Sequence, residues 1–120
     1  MASMVKKNFD QAEETRPMDK GKVDIVNLGD VTAMRARFEP GWRWSECVKP
    51  TAGTDSCEVA HTIYVVSGRM GVRMNDGKET EIGPGDVGTI PPGHDAWVVG
   101  SAPFVGVDFQ GGNVYAKPKA

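Results

Sequence analysis

Histidine and cysteine are scarce in this chain of 120 residues, which holds two of each: His61, His94, Cys47 and Cys57. So few cysteines cannot make the disulfide framework that staples small secreted domains. In a reducing compartment such residues serve as buried thiols or as metal ligands. Excess positive charge is missing too. With 14 Lys and Arg against 16 Asp and Glu, the chain lacks the basic balance that binding to a phosphate backbone requires. Long apolar runs are absent: stretches such as IYVV at 63–66 and AWVV at 96–99 fall far short of the roughly 20 residues that span a bilayer. The N-terminus carries no basic-then-apolar signal segment, so a cytoplasmic location is expected, with neither nucleic acid nor membrane as partner. Helical periodicity is also lacking, since no stretch of useful length spaces its apolar residues by three and four.

What the chain does contain is β punctuation. From Lys22 onward, short valine-rich runs are separated by Gly, Pro, Asn or Asp every 6 to 12 residues, the pattern of an all-β domain. Strands are predicted at 22–28, 31–38, 42–48, 60–67, 69–74, 78–82, 87–91, 95–100 and 103–109. Asn75-Asp76-Gly77 should supply the positive-φ residues of a tight hairpin. The piece KPTAGTDSCEVA at 49–60 is long enough for a functional loop or lid. Residues 1–21 are polar and aperiodic and read as an N-terminal arm, with Met1-Ala2-Ser3 a cloning remnant ahead of Met4. One domain, 22–118, suits this length.

The most informative stretch is EIGPGDVGTIPPGHDAWVVG at 81–100. Its apolar runs favour strands, while Gly83-Pro84-Gly85 and Pro91-Pro92-Gly93 force turns, and the second turn delivers His94 to the mouth of a strand. GDVGTIPPGH resembles the second motif of the cupin superfamily, small antiparallel β-barrels of the jelly-roll type. Gly85, Pro91 and Gly93 stand at the motif spacing, Ala96 holds the place of its histidine, and His94 lies two residues earlier on the same face of an extended segment. A partial match to the first motif also occurs. Gly41 is followed after five residues by Cys47 and then Lys49, where a His-x-His pair would stand, and His61 takes the place of the motif glutamate before Gly68. Counting back from His61 by the usual spacing gives Cys57 and Asp55.

The resemblance implies an all-β fold: a single antiparallel β-barrel of the jelly-roll (cupin) type with a polar N-terminal arm. It places His61 and His94 at the barrel mouth as candidate catalytic residues, and Cys47, Cys57, His61 and His94 as candidate metal ligands. A sulfur from Cys57 or Cys47 would complete a three-ligand set whose mixed sulfur and nitrogen donors favour a divalent metal such as zinc, or iron. The implied function is binding of a small organic molecule, with or without metal-dependent lyase, isomerase or dioxygenase chemistry. The alternative is a metal-free, non-catalytic ligand-binding or sensory module. Trp42, Trp44 and Trp97 either line a pocket or fill the core or a dimer seam. Arg35, Arg37, Arg43, Arg69 and Arg73 alternate with apolar residues, as on a solvated sheet face. Glu46, Tyr64, Asp95 and Asp108 are secondary candidates, read as surface or structural residues ahead of catalytic ones. Exposed sheet edges suggest a homodimer.

Overall fold

The computed structural model describes residues 3–117; Met1 and Ala2 of the leader, and the end of the barrel assigned to Pro118, lie outside them. Among the described residues nine strands form: β1 (Glu14–Met18), β2 (Gly21–Asn27), β3 (Thr32–Phe38), β4 (His61–Ser67), β5 (Arg69–Met74), β6 (Glu79–Ile82), β7 (Val87–Ile90), β8 (His94–Val99) and β9 (Phe104–Asp108). They pair antiparallel in two sheets, one of six strands in the order β1-β2-β3-β9-β4-β7 and one of three in the order β6-β5-β8. This is the jelly-roll barrel expected from the sequence.

Alternation along each strand decides what faces inward. β4 buries His61, Ile63 and Val65, β8 buries His94, Ala96 and Val98, and β9 buries Phe104, Gly106 and Asp108. Both histidines therefore share the interior with the apolar core, because side chains two apart in a strand share a face. That core is centred on Phe38, Trp42 and Phe104, with the Phe38 and Trp42 rings stacked at 3.8 Å between centroids. Each fully buried aliphatic or Phe side chain contributes about 1.5–3 kcal/mol.

Three local expectations are corrected. Part of the polar leader is structured: Glu14–Met18 adds an edge strand along β2, with Arg16 opposite Val23. Residues 42–48 are not a strand, since Trp44–Cys47 forms a short helix, α1, followed at once by α2 (Lys49–Ala52). The apolar positions there fit either period, and Trp44, Cys47 and Val48 are buried at helical spacing. Asp95 on β8 decides the matter by accepting the Ser45 backbone N–H at 3.1 Å, an N-terminal cap supplied from another element. The β5–β6 turn is tight as expected, but only Gly77 takes positive φ, at 94°.

Candidate metal centre

The centre begins at the turn before β8. Gly93 sits at φ 92°, in the left-handed region open to glycine, and its N–H donates to the Cys57 carbonyl at 2.7 Å. The Cys57 N–H in turn donates to the His94 carbonyl at 2.7 Å. This isolated bridge fixes Cys57 beside His94 although 37 residues separate them in sequence. The His94 Nδ1–H donates to the Pro91 carbonyl at 2.7 Å, so the neutral ring keeps its free lone pair on Nε2. Pro91-Pro92-Gly93 thus turns the chain, sets the tautomer of His94 and recruits Cys57.

His61 is oriented from the opposite side. Its Nδ1–H donates to Asp108 Oδ2, and its Nε2 faces Cys57 Sγ at 3.8 Å. Asp108 is completely buried and fully partnered, because Oδ1 accepts the backbone N–H groups of Thr62 at 3.1 Å, Gln110 at 2.9 Å and Gly111 at 3.2 Å. Burial by itself would push its carboxyl up; the hydrogen bond from His61 and the Gln110 and Gly111 donors outweigh that and hold it below the usual carboxylate range. Gly111 is required here. A Cβ in its place would lie 2.7 Å from Asp108 Oδ2 and 2.9 Å from His61 Nδ1.

One donor atom each from Cys57, His61 and His94 falls within 4.8 Å of the others, and all three residues are buried. The two imidazole rings meet edge to face at 5.3 Å, and Tyr115 packs edge to face on His61 at 5.4 Å. Burial pushes the Cys57 thiol up to about 12 and lowers the basicity of His94, so the metal-free cluster is a protonated thiol beside a neutral His94. The donor chemistry fits one small divalent ion: two imidazoles with fixed tautomers and one sulfur that a cation would deprotonate. Three protein donors leave a further coordination position open.

Of the residues singled out in the sequence, Cys57, His61 and His94 come together. Cys47 does not join them; its thiol sits on α1, 3.9 Å from Asp19 Oδ2, and both cysteines are free. Asp55 is exposed. Trp42 and Trp44 fill the core, while half-buried Trp97 lies beneath the Arg43 guanidinium at 4.8 Å. Arg35, Arg37 and Arg69 pair with carboxylates on the sheet surface, as their alternation suggested. Tyr64 is exposed on β4, and Asp95 is the cap of α1. Sequence reasoning undervalued Asp108, although its signal was available: in FVGVD the carboxylate holds the inward register of Phe104 and Gly106. Tyr115 and Arg16 carried no signal, since their roles depend on contacts between the two ends of the chain.

A model of the EutQ-like cupin domain matches residues 48–103, the segment holding Cys57, His61 and His94. Among solved structures, a Rhizobium leguminosarum protein of unknown function aligns over 98% of this chain and all of its own, with 22% identity and a TM-score of 0.66. The formate complex of Lactobacillus farciminis oxalate decarboxylase aligns over 85% of this chain with 20% identity and a TM-score of 0.61. Bacillus subtilis oxalate decarboxylase, in a structure concerned with its Mn(II) centres, aligns over 86% with 24% identity and a TM-score of 0.56. This chain spans only 32% and 29% of those two decarboxylase chains. At these identities the likeness is one of fold. Comparison with curated proteins finds no match.

Proposed function

The chain belongs to the cupin superfamily, and from that premise we propose that it is a metal-dependent cupin that acts on a small organic substrate at the barrel mouth. The convergence of Cys57, His61 and His94 in the barrel interior carries this reading. A sulfur with two nitrogens favours zinc, or iron. Manganese, the metal studied in the Bacillus subtilis decarboxylase, prefers oxygen-rich sets. When bound, such an ion supplies a Lewis acid that polarises a substrate oxygen. The residues of the chain do the rest. Asp108 holds the His61 ring and its tautomer, the Pro91 carbonyl does the same for His94, and Tyr115, Trp44, Met34 and Ile90 wall the cavity against water. Non-redox lyase or isomerase chemistry suits this donor set better than oxygenation, which relies on histidine and carboxylate ligands.

Elemental analysis of the purified protein tests the reading. One equivalent of metal is expected, lost in His61→Ala and His94→Ala and retained in Cys47→Ser. A protein that stays empty after incubation with zinc, iron, nickel and manganese would refute it. The second reading, a metal-free ligand-binding module, is favoured by one observation: the interior cavity measures only about 30 Å³, room for a water or an ion, whereas a pocket of about 400 Å³ lies outside it. The proposed homodimer would form through the exposed Tyr64, Val66 and Val87 on the outer face of the six-stranded sheet. Light scattering that shows only monomer removes it.

A further inference from the structure

The interior cavity of about 30 Å³ is lined by His61, His94 and Asp108, and the outer pocket of about 400 Å³ by Cys57, Glu58 and Val59. Tyr115 and Trp44 line both. The donors of the candidate centre therefore straddle a partition, and Tyr115 is the part of it that belongs to no strand or helix. Its side chain is 4% exposed with its ring against His61. A substrate in the outer pocket cannot reach the histidines while that ring is in place.

The backbone around Tyr115 is held differently from the barrel wall. Residues 111–117 make no strand ladder. They bond within the segment, through Val114 and Tyr115 N–H to the Gly111 carbonyl at 3.2 and 3.0 Å. Toward the body, Arg16 Nη1 donates to the Gly112 carbonyl at 2.9 Å and to the Tyr115 carbonyl at 2.6 Å. Thr32 Oγ1 adds one contact to Asn113 at 3.1 Å, and Gly111, where the segment leaves the barrel, donates its N–H to Asp108 Oδ1 at 3.2 Å. Arg16 is buried, on the edge strand β1, and the Glu14 carboxylate grips its far side at 2.8 and 3.0 Å. Next to Tyr115, Ala116 stands at φ 56°, a left-handed conformation that is costly for a residue with a Cβ. The closed segment is thus strained at Ala116 and clasped mainly by one side chain.

We propose that residues 111–117 form a gate to the candidate centre, in which Tyr115 is the closing element and Arg16 the latch. Release of the two carbonyls from Arg16 lets Tyr115 leave without breaking a strand pair and joins the two cavities into one cleft. The gate rests on the proposed metal reading for what lies behind it, and not for its own existence.

The test uses the full-length, metal-free protein and the rate at which diethyl pyrocarbonate modifies His61 and His94, the donors behind the ring, followed by mass spectrometry of their peptides. In the wild type both histidines should react slowly, in Tyr115→Ala at least tenfold faster, and in Arg16→Ala at a rate between the two. Tyr115→Phe should stay as slow as wild type, because the ring does the blocking. Arg16→Lys, which keeps the charge without the planar fork, should behave like Arg16→Ala and serves if the latter fails to fold. Amide exchange in the β5–β8 ladder must remain at the wild-type level. Equal histidine rates in wild type, Tyr115→Ala and Arg16→Lys would overturn the gate, as would a rise in rate matched by general loss of exchange protection. If zinc binds, Arg16→Ala should speed loading and release by the same factor and leave affinity unchanged. Faster histidine modification in variants of a protein that takes up no zinc would leave the gate standing and refute the metal centre alone.

Discussion

Replacing Asp108 by Asn changes one atom and should disable His61 as a ligand. Three backbone donors converge on Asp108 Oδ1, so the amide oxygen must stay there and the NH₂ group must face His61 Nδ1. That nitrogen can then only accept, which moves the ring proton to Nε2, the atom facing Cys57 Sγ at 3.8 Å. The lone pair that would bind metal is thereby lost. Hydrogen bonds to a charged partner contribute about 1.5–3 kcal/mol against about 1 for neutral ones. Reversing one such bond and weakening three, offset by removal of a buried charge, gives a net loss of about 3 kcal/mol. For a domain of this size that lowers Tm by about 10–15 °C. Loss of a carboxylate partner behind a ligating histidine lowers metal affinity about 10–100-fold. Thermal unfolding, a chelator-competition titration with zinc and the imidazole ¹⁵N shifts of His61 read the three effects. Asp108→Asn with zinc affinity within twofold of wild type and unchanged His61 shifts would refute the reasoning.

Since burial pushes the Cys57 thiol up to about 12, zinc binding must displace its proton. Zinc affinity should therefore rise about tenfold per pH unit between roughly pH 7 and 9, with one proton released per ion in calorimetry across buffers; no proton release would show that the thiol is not a ligand. Gly111→Ala, which forces a methyl to within 2.7 Å of Asp108 Oδ2, should cost about 1–3 kcal/mol in denaturant unfolding and weaken zinc binding together with stability. Asp24 lies at the centre of the sheet-surface network: burial would push it up, but hydrogen bonds from Thr15 and Arg35 and the charges of Lys22 and Arg35 lower it on balance. Its stabilising contribution is present above the unfolded carboxylate pKa of about 4 and is lost as pH falls through the lower folded value. Unfolding midpoints of Asp24→Asn should accordingly fall less than those of wild type between about pH 4 and 2.

The sequence by itself determined the barrel, because two-residue alternation and Gly-Pro turns are local properties that leave little choice of element. The motif resemblance placed His61 and His94 at the barrel mouth, and the alternation along β4 and β8 turns both inward. Local pattern could not decide 42–48, where Trp44, Cys47 and Val48 suit helix and strand alike and the cap comes from Asp95, 50 residues away. Between the two cysteines it favoured Cys57, on its spacing to His61, only narrowly over Cys47. The decision rests on the backbone bridge of Cys57 to His94, while α1 carries Cys47 toward Asp19. Asp108 became legible as the partner of His61 only when β9 was laid beside β4, with Ile63 opposite Asp108. The closure of the site by Tyr115 and Arg16 joins residues 99 apart in the chain. Contacts of that span arise from strand order and chain return, which only the tertiary structure decided.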